Sequence, residues 1–212
     1  MTSAQVISVN VGRPRAFEHG GKPAQSAIWK SPVAGRVAVR GVNLDGDDQS
    51  DREVHGGPDK AVYAYAIEDV RFWEAELARP LELAAVGENL TTEGLDVTEA
   101  VVGTRWQIGS TELEVSEPRA PCSKLAFKME DPTFVRRFTK AGRPGAYLRI
   151  VREGELGAGD EIRVLSTPAH GRTVGDVFRI YSRDRNEITK LLDIPQLSES
   201  WRSWAERLLE KE

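Results

Sequence analysis

Short apolar or alternating segments dominate the first two thirds of the chain. Strands are predicted at residues 6–11, 27–30, 36–40 and 61–65, with glycine and proline between most of them. Residues 43–57 form a long polar stretch, which predicts a loop with a functional role. The pattern is typical of an all-β sheet or barrel and not of alternating strands and helices.

Four more strands complete the predicted β part. Residues 101–108 and 111–115 predict a hairpin closed at Gly109-Ser110, and residues 147–151 and 161–165 follow as strands. We therefore expect a mainly β domain over residues 1–166.

Helical spacing interrupts this pattern twice. Apolar residues three and four apart predict a helix from Ile67 to Leu77. A second helix is predicted with Asp131 as its N-cap, Pro132 in its first turn and Gly142 past its end.

After residue 166 the pattern becomes helical. Helix starts are predicted at Thr173, Asp184 and Ser198, the first two with an acidic residue three positions later. The last helix carries one apolar stripe, which consists of Trp201, Trp204, Ala205, Leu208 and Leu209. Residues 167–212 are too few for a confidently stable unit, so the stripe is expected to dock on the β domain or on another copy.

Composition narrows the function classes. The net charge of −4 and the lack of a lysine-rich tract argue against binding a nucleic-acid polymer. The first residues lack the features of an export signal, and the longest apolar run, residues 61–67, is too short to span a membrane. We therefore expect a cytoplasmic protein that does not bind membranes. A single cysteine excludes an internal disulfide and a zinc site built from Cys-x-x-Cys pairs.

That cysteine, Cys122, follows a predicted strand and stands between Arg119 and Lys124. Neighbouring positive charge favours the thiolate, which attacks electrophiles and binds soft metals. The alternative is a small buried apolar residue, the usual role of a free cysteine.

The second candidate cluster runs from His55 to Lys60. Gly56 and Gly57 allow backbone N–H groups to approach an anion, and Lys60 adds a positive charge. The alternative is a tight loop before a strand, with His55 as an ordinary loop histidine.

Three further polar residues complete the candidate chemistry. Asn89 and Thr91 could read a heterocycle edge, and Arg143 stands just past a predicted helix. Their alternatives are a polar turn and a solvated arginine. Together, one soft ligand, several cations and these polar groups suit an anionic cofactor that carries a soft metal.

The order of the motifs resembles the MOSC domain, named for the C-terminal domain of molybdenum cofactor sulfurase. The motifs are Asp45-Gly-Asp47 with Gln49 and Asp51, His55-Gly-Gly-Pro-Asp-Lys-Ala-Val62, Gly87-Glu-Asn-Leu-Thr91, Arg119-Ala-Pro-Cys122 and Arg143-Pro-Gly145. The C-terminal extension further resembles the YiiM branch. This resemblance implies a β-barrel-like domain that binds molybdenum cofactor, a pterin dithiolene with a terminal phosphate.

The resemblance also implies roles for the candidate residues. Cys122 would be the protein ligand to molybdenum, and His55 would donate a proton or brace its loop. The remaining candidates would bind the phosphate and pterin: Lys60, Gly56, Gly57, Arg119, Arg143, Asn89 and Thr91.

The leading functional hypothesis is a molybdenum-dependent reductase of N-hydroxylated compounds, such as the nucleobase analogue hydroxylaminopurine. Since the sequence shows no flavin, haem or iron–sulfur signature, an external reductase would supply electrons. The chain would act as a monomer or homodimer. One alternative is a carrier that holds a persulfide on Cys122 or hands over the cofactor. A third is a thiol hydrolase with a Cys122–His55 dyad.

Overall fold

The computed structural model describes residues 3–49 and 56–210. The strands are β1 Gln5–Val11, β2 Arg15–His19, β3 Lys22–Ser26, β4 Ser31–Pro32, β5 Arg36–Arg40, β6 Asn43–Leu44, β7 Val62–Ala66, β8 Leu90–Glu93, β9 Arg105–Ile108, β10 Thr111–Pro118, β11 Ala146–Arg152, β12 Gly154–Gly157 and β13 Ile162–Ser166. The helices are α1 Ile67–Leu77, α2 Ser123–Lys128, α3 Phe134–Ala141, α4 Val174–Ser182 and α5 Glu199–Leu209, with 3-10 turns at Pro58–Lys60 and Arg185–Leu191. The fold is mainly β, as predicted.

Eight strands form one curved sheet in the order β13-β9-β10-β11-β7-β8-β1-β4. Neighbouring strands pair antiparallel except β7 and β8, which are parallel. The sheet curls so far that Gln5 at the start of β1 forms an isolated bridge with Glu161, just before β13. Between these two strands the described residues form only that bridge, so the sheet is barrel-like without a continuous ladder.

Strand β7 separates two apolar cores, and all five of its residues are buried. Val62, Ala64 and Ala66 belong to the core inside the curled sheet. Tyr63 and Tyr65 belong to a second, aromatic core that contains residues of α1, α2 and α3. This division follows from the alternation of side chains along a strand, and it directs Tyr63 towards the candidate site.

The C-terminal helices complete the inner core. Trp201 is 7 % exposed and Ala205 is fully buried within the same cluster as the strands. Helix α4 begins with a capping box between Thr173 and Asp176, as the sequence predicts. The predicted stripe on α5 therefore docks on the β part of its own chain. Within the described ranges, no helix combines the length and apolar character that a membrane crossing requires.

The structure differs from the predicted elements at several points. Residues 27–30 are not a strand, although Ala27 and Ile28 are buried. Helix α3 begins at Phe134 with Thr133 as N-cap. Asp131 instead caps the turn before the helix, where its carboxylate accepts the Thr133 backbone N–H at 2.8 Å. The predicted helix after Asp184 is a 3-10 turn.

Besides the short strands β4, β6 and β12 and the 3-10 turn at Pro58–Lys60, two larger elements were absent from the sequence prediction. One is the β2–β3 hairpin, whose two turn glycines, Gly20 and Gly21, have positive φ. The other is the short helix α2, which begins directly after Cys122.

Candidate functional site

An open cleft with an empty volume of about 690 Å³ lies between the polar loop after β6, the start of β7 and the segment between β10 and α2. Its lining includes Cys122, four cationic side chains and two carboxylates. The cations are Lys30, Lys60, Arg119 and Lys124, and the carboxylates are Asp47 and Asp48. The cleft therefore has an excess of positive charge in a protein whose net charge is negative.

Cys122 lies at the edge of this cleft and is partly exposed. Pro118 ends strand β10, and α2 begins at Ser123, so the thiol stands in the four-residue segment between them. Its side chain makes no capping hydrogen bond to the helix. The thiol is thus held by the chain on both sides and remains accessible from the cleft.

Asp47 is the centre of a buried polar cluster behind the cleft. One carboxylate oxygen accepts the Gly12 backbone N–H at 2.7 Å and also pairs with Lys30. The other oxygen accepts the Asn89 amide at 2.8 Å. The Lys30 and Asp47 side chains are 8 % and 2 % exposed. Asp47 thereby fixes three segments that are distant in sequence.

Gln49 holds the glycine loop in place. Its amide nitrogen donates to the backbone carbonyls of Val42 and Lys60, both at 3.0 Å. Its side-chain oxygen accepts the Gly57 backbone N–H at 3.1 Å. The geometry therefore fixes the backbone at Lys60, whose side chain lines the cleft.

Arg119 forms part of the cleft wall and is only 6 % exposed. Its guanidinium donates to the Val86 carbonyl, and its central carbon lies 4.9 Å from the centroid of the Tyr63 ring. The stacking and the hydrogen bond orient a buried cation beside the thiol segment.

Asn89 lines the cleft, but its side-chain amide forms its hydrogen bonds with other groups of the protein. Besides Asp47, it donates to the Asn10 carbonyl at 3.2 Å, and its oxygen accepts the Tyr63 backbone N–H at 3.0 Å. Thr91 is fully buried behind the wall, where its hydroxyl donates to Glu88 at 3.0 Å. These two residues shape the site from behind instead of presenting free donors to a ligand.

Arg143 lies away from the cleft. Its guanidinium pairs with Asp69 of α1 and covers the Phe72 ring at 4.6 Å. Gly57 stands on the loop before Lys60 with φ near +96°, and Gly56 precedes it. His55 lies outside the described residues. Of the other predicted site residues, the structure places Cys122, Lys60, Arg119 and Asn89 together in the cleft and Arg143 apart from it.

Burial near the cleft shifts the pKa values of three charged side chains. Burial lowers the pKa of Lys30, an effect that Asp47 opposes. Burial likewise lowers the pKa of Lys128 to about 8, although the nearby Glu88 opposes the shift. Burial raises the pKa of Glu88, which is 0 % exposed. The cost of burying these charges is offset by hydrogen bonds, such as that of Lys128 to the Ile28 carbonyl at 3.0 Å.

The low pKa of Lys128 predicts a pH-dependent stability. Between about pH 8 and the ordinary value of 10.5, the unfolded chain binds more protons than the folded one, so the free energy of unfolding rises with pH. In Lys128→Met this rise is expected to be smaller by about 2–3 kcal/mol. Urea unfolding at both ends of this range checks it.

Lys22→Met provides the matched control, because Lys22 is an exposed lysine on the β2–β3 hairpin. Its pH dependence is expected to follow the wild type. An identical pH slope in Lys128→Met and the wild type would contradict the assignment.

The sequence interpretation missed the structural roles of Lys30, Glu88 and Lys128. A signal existed for Glu88, since it stands inside the Gly87-Glu-Asn-Leu-Thr91 motif. No comparable signal marks Lys30 or Lys128, whose role depends on tertiary contacts alone. Within residues 3–49 and 56–210, no group of three or more His, Cys, Asp or Glu side chains could hold a metal ion.

Comparison with known proteins agrees with this geometry. The profile described as the MOSC domain matches residues 51–163, and that described as the YiiM-like 3-alpha helix domain matches residues 173–212. The chain belongs to the MOSC family.

Individual relatives span nearly the whole chain. The Bacillus subtilis protein YflK, described as uncharacterized, is 38 % identical over 201 residues, which cover 93 % of this chain and 91 % of YflK. The crystal structure of YiiM from Geobacillus stearothermophilus superimposes with a TM-score of 0.81 at 30 % identity, covering 96 % of this chain and 98 % of that one. A protein of Gibberella moniliformis named "Reductase" is 32 % identical over 191 residues, which cover 88 % of this chain but 34 % of that protein.

The residues of the cleft fit the cofactor associated with MOSC domains. Its terminal phosphate is anionic, and the cleft offers an excess of cations. Its dithiolene supplies soft ligands to the metal, and Cys122 can add one more sulfur. The donor set of this MOSC protein thus matches a metal that arrives with its own organic ligand.

Proposed function

We propose that this protein is a molybdenum cofactor-binding oxidoreductase that reduces N-hydroxylated compounds, including nucleobase analogues, to amines. A separate reductase would supply the electrons. The observation that supports the proposal best is the meeting of the single cysteine with four cationic side chains in one cleft. Membership of the MOSC family and the relative named "Reductase" support the same reading.

Different residues of the cleft would bind different parts of the cofactor. The Cys122 thiolate would be the protein ligand to molybdenum. Lys60 and Lys124 would hold the phosphate or pterin with Arg119, whose position is fixed by Tyr63 and Val86. Gly56 and Gly57 would leave space for a close approach of the backbone to an anion.

The cofactor would supply the two-electron chemistry that breaks the N–O bond, and two protons would complete the products, an amine and water. The protein itself orients this chemistry and controls its surroundings. In the buried part of the cleft wall, Asp47 keeps Lys30 at a fixed position and is itself held by the Asn89 amide. His55 remains our candidate proton donor from the sequence.

A turnover assay tests the proposal. The full chain would be purified from a host that makes molybdenum cofactor and mixed with N6-hydroxyadenine, NADPH and a flavoprotein reductase. Amine formation is expected only when both proteins are present. Protein from the same host grown with tungstate is the control, and it is expected to be inactive. Equal rates with tungstate-grown protein, or without the reductase, would contradict the proposed chemistry.

The carrier hypothesis is favoured by one observation, the partial exposure of Cys122 at the cleft. A persulfide there would be accessible to an acceptor protein. Intact-mass spectrometry of freshly purified protein tests this alternative. One additional sulfur atom on Cys122, in a preparation without molybdenum, would favour the carrier, whereas an unmodified thiol with bound molybdenum would exclude it as the main function.

A further inference from the structure

A second cavity adjoins the Cys122 cleft where the C-terminal helices meet the sheet. It has an empty volume of about 650 Å³ and is lined by Lys60, Glu117, Ala120, Tyr147, Tyr181, Ser200, Trp201 and Trp204. We call it the aromatic pocket. Lys60, Ala120 and Tyr147 also line the cleft. A molecule in the aromatic pocket would therefore lie next to a ligand bound at Cys122.

One wall of the aromatic pocket consists of three rings from α4 and α5. The Tyr181 centroid lies 5.2 Å from that of Trp201 and 5.4 Å from that of Trp204, both in edge arrangements. Trp201 is committed to the core, with 7 % of its surface exposed, whereas Tyr181 and Trp204 are only partly buried. Ring surface therefore remains available for contact with a planar ligand.

A carboxyl group lies in the same pocket. Glu117 is 2 % exposed, with one oxygen 3.6 Å from the Lys60 ammonium and the other accepting the Ser200 hydroxyl at 3.4 Å. Burial raises the pKa of Glu117, and Lys60 opposes this shift. The Ser198 and Trp201 side chains also donate hydrogen bonds to Glu117. With Lys60 and Ser200 they take up the roughly four hydrogen bonds that a carboxylate accepts, so Glu117 holds Lys60 at the boundary of the two cavities.

We propose that the aromatic pocket is the substrate subsite and that it selects planar nitrogen heterocycles with an N-hydroxylated exocyclic amine. The ring would contact Tyr181 and Trp204. The N–O group would then lie on the side that Lys60 and Tyr147 share with the cleft. This inference rests on the proposed function and adds the residues that set its specificity.

Equilibrium dialysis of the full chain from a cofactor-producing host tests the subsite without turnover. The probes are N6-hydroxyadenine and acetohydroxamic acid, which has an N–OH group but no ring. The heterocycle is expected to bind at least about tenfold more tightly, because contact of a base with aromatic side chains is worth roughly one such factor.

Two variants test which side chains of the aromatic pocket contribute to heterocycle affinity. Trp204→Leu and Tyr181→Leu are each expected to weaken heterocycle binding by about tenfold. Trp204→Phe keeps a ring and is expected to retain most of the affinity. Phe72→Leu is the matched control, since Phe72 is a partly buried aromatic residue that lines neither cavity. Circular dichroism confirms that each variant is folded.

The outcomes separate this inference from the proposed function. Ring-selective binding that depends on Trp204, in a protein without molybdenum or turnover, would support the subsite and contradict the proposed reductase function. Turnover with molybdenum present, but with heterocycle binding unchanged in Trp204→Leu and Tyr181→Leu, would overturn the subsite alone. Equal loss in Phe72→Leu would also overturn it.

Discussion

Cys122→Ala is expected to abolish the reduction of N-hydroxylated substrates while leaving the fold intact. Substitution of residues that merely support a metal ligand costs about 10–100-fold in affinity or activity, so loss of the ligand itself should exceed about 100-fold. Since Cys122 is partly exposed and its side chain does not cap α2, the free energy of unfolding should change by less than about 1 kcal/mol. Steady-state turnover and urea unfolding measure the two effects.

Cys122→Ser is the matched control for size and polarity. Serine offers a hard oxygen where molybdenum prefers a soft sulfur, so it is expected to be as inactive as alanine. A tenth or more of the wild-type rate in either variant would show that the thiolate is not the essential ligand.

Asp47→Ala is expected to produce the largest loss of stability. The change removes the partner of the buried Lys30 ammonium and the acceptor for the Gly12 and Asn89 donors. Breaking one side of a buried ion pair costs about 3–5 kcal/mol, because the remaining charge is left without compensation. Urea unfolding is the measurement, and a loss below about 1 kcal/mol would contradict the role of Asp47 as the centre of this cluster.

A double-mutant cycle separates the ion pair from the other contacts. Asp47→Asn keeps an oxygen acceptor but loses the charge, and Lys30→Met removes the opposite charge. If the two side chains act as a pair, the double variant should be more stable than the sum of the single losses predicts. Strictly additive losses would mean that the hydrogen bonds to Gly12 and Asn89 dominate.

Much of the β framework follows from local pattern. Strand β7 was predicted from its apolar run, and the β9–β10 hairpin from the turn at Gly109-Ser110. Helix α1 was predicted over its observed range. These elements depend on side-chain period and turn residues, which a single sequence displays.

The roles of several polar side chains depend on tertiary contacts, and the sequence did not predict them. Arg143 was chosen for its charge and its place after a helix, but its partner Asp69 lies 74 positions earlier in the chain. Asn89 was expected to read a ligand, yet the fold uses its amide to join Asp47, Asn10 and Tyr63. No local pattern shows which polar groups a fold will consume internally.

The aromatic pocket illustrates the same limit in the C-terminal unit. The stripe containing Trp201 and Trp204 was predicted to dock, and it does so through Trp201. Sequence spacing alone did not indicate that Trp204, Tyr181 and Glu117 would enclose a cavity next to the cleft. That arrangement arises because α4 and α5 pack against strand β10 and its neighbours.

Metal and pterin analysis of the purified wild type and of Cys122→Ala tests the central claim most directly. Both proteins would be produced in a host that makes molybdenum cofactor and freed of small molecules by gel filtration. The assignment of Cys122 as the metal ligand predicts molybdenum and pterin in the wild type and a clear loss of molybdenum in the variant. Their absence from both proteins, with cofactor supply confirmed in the host, would contradict it.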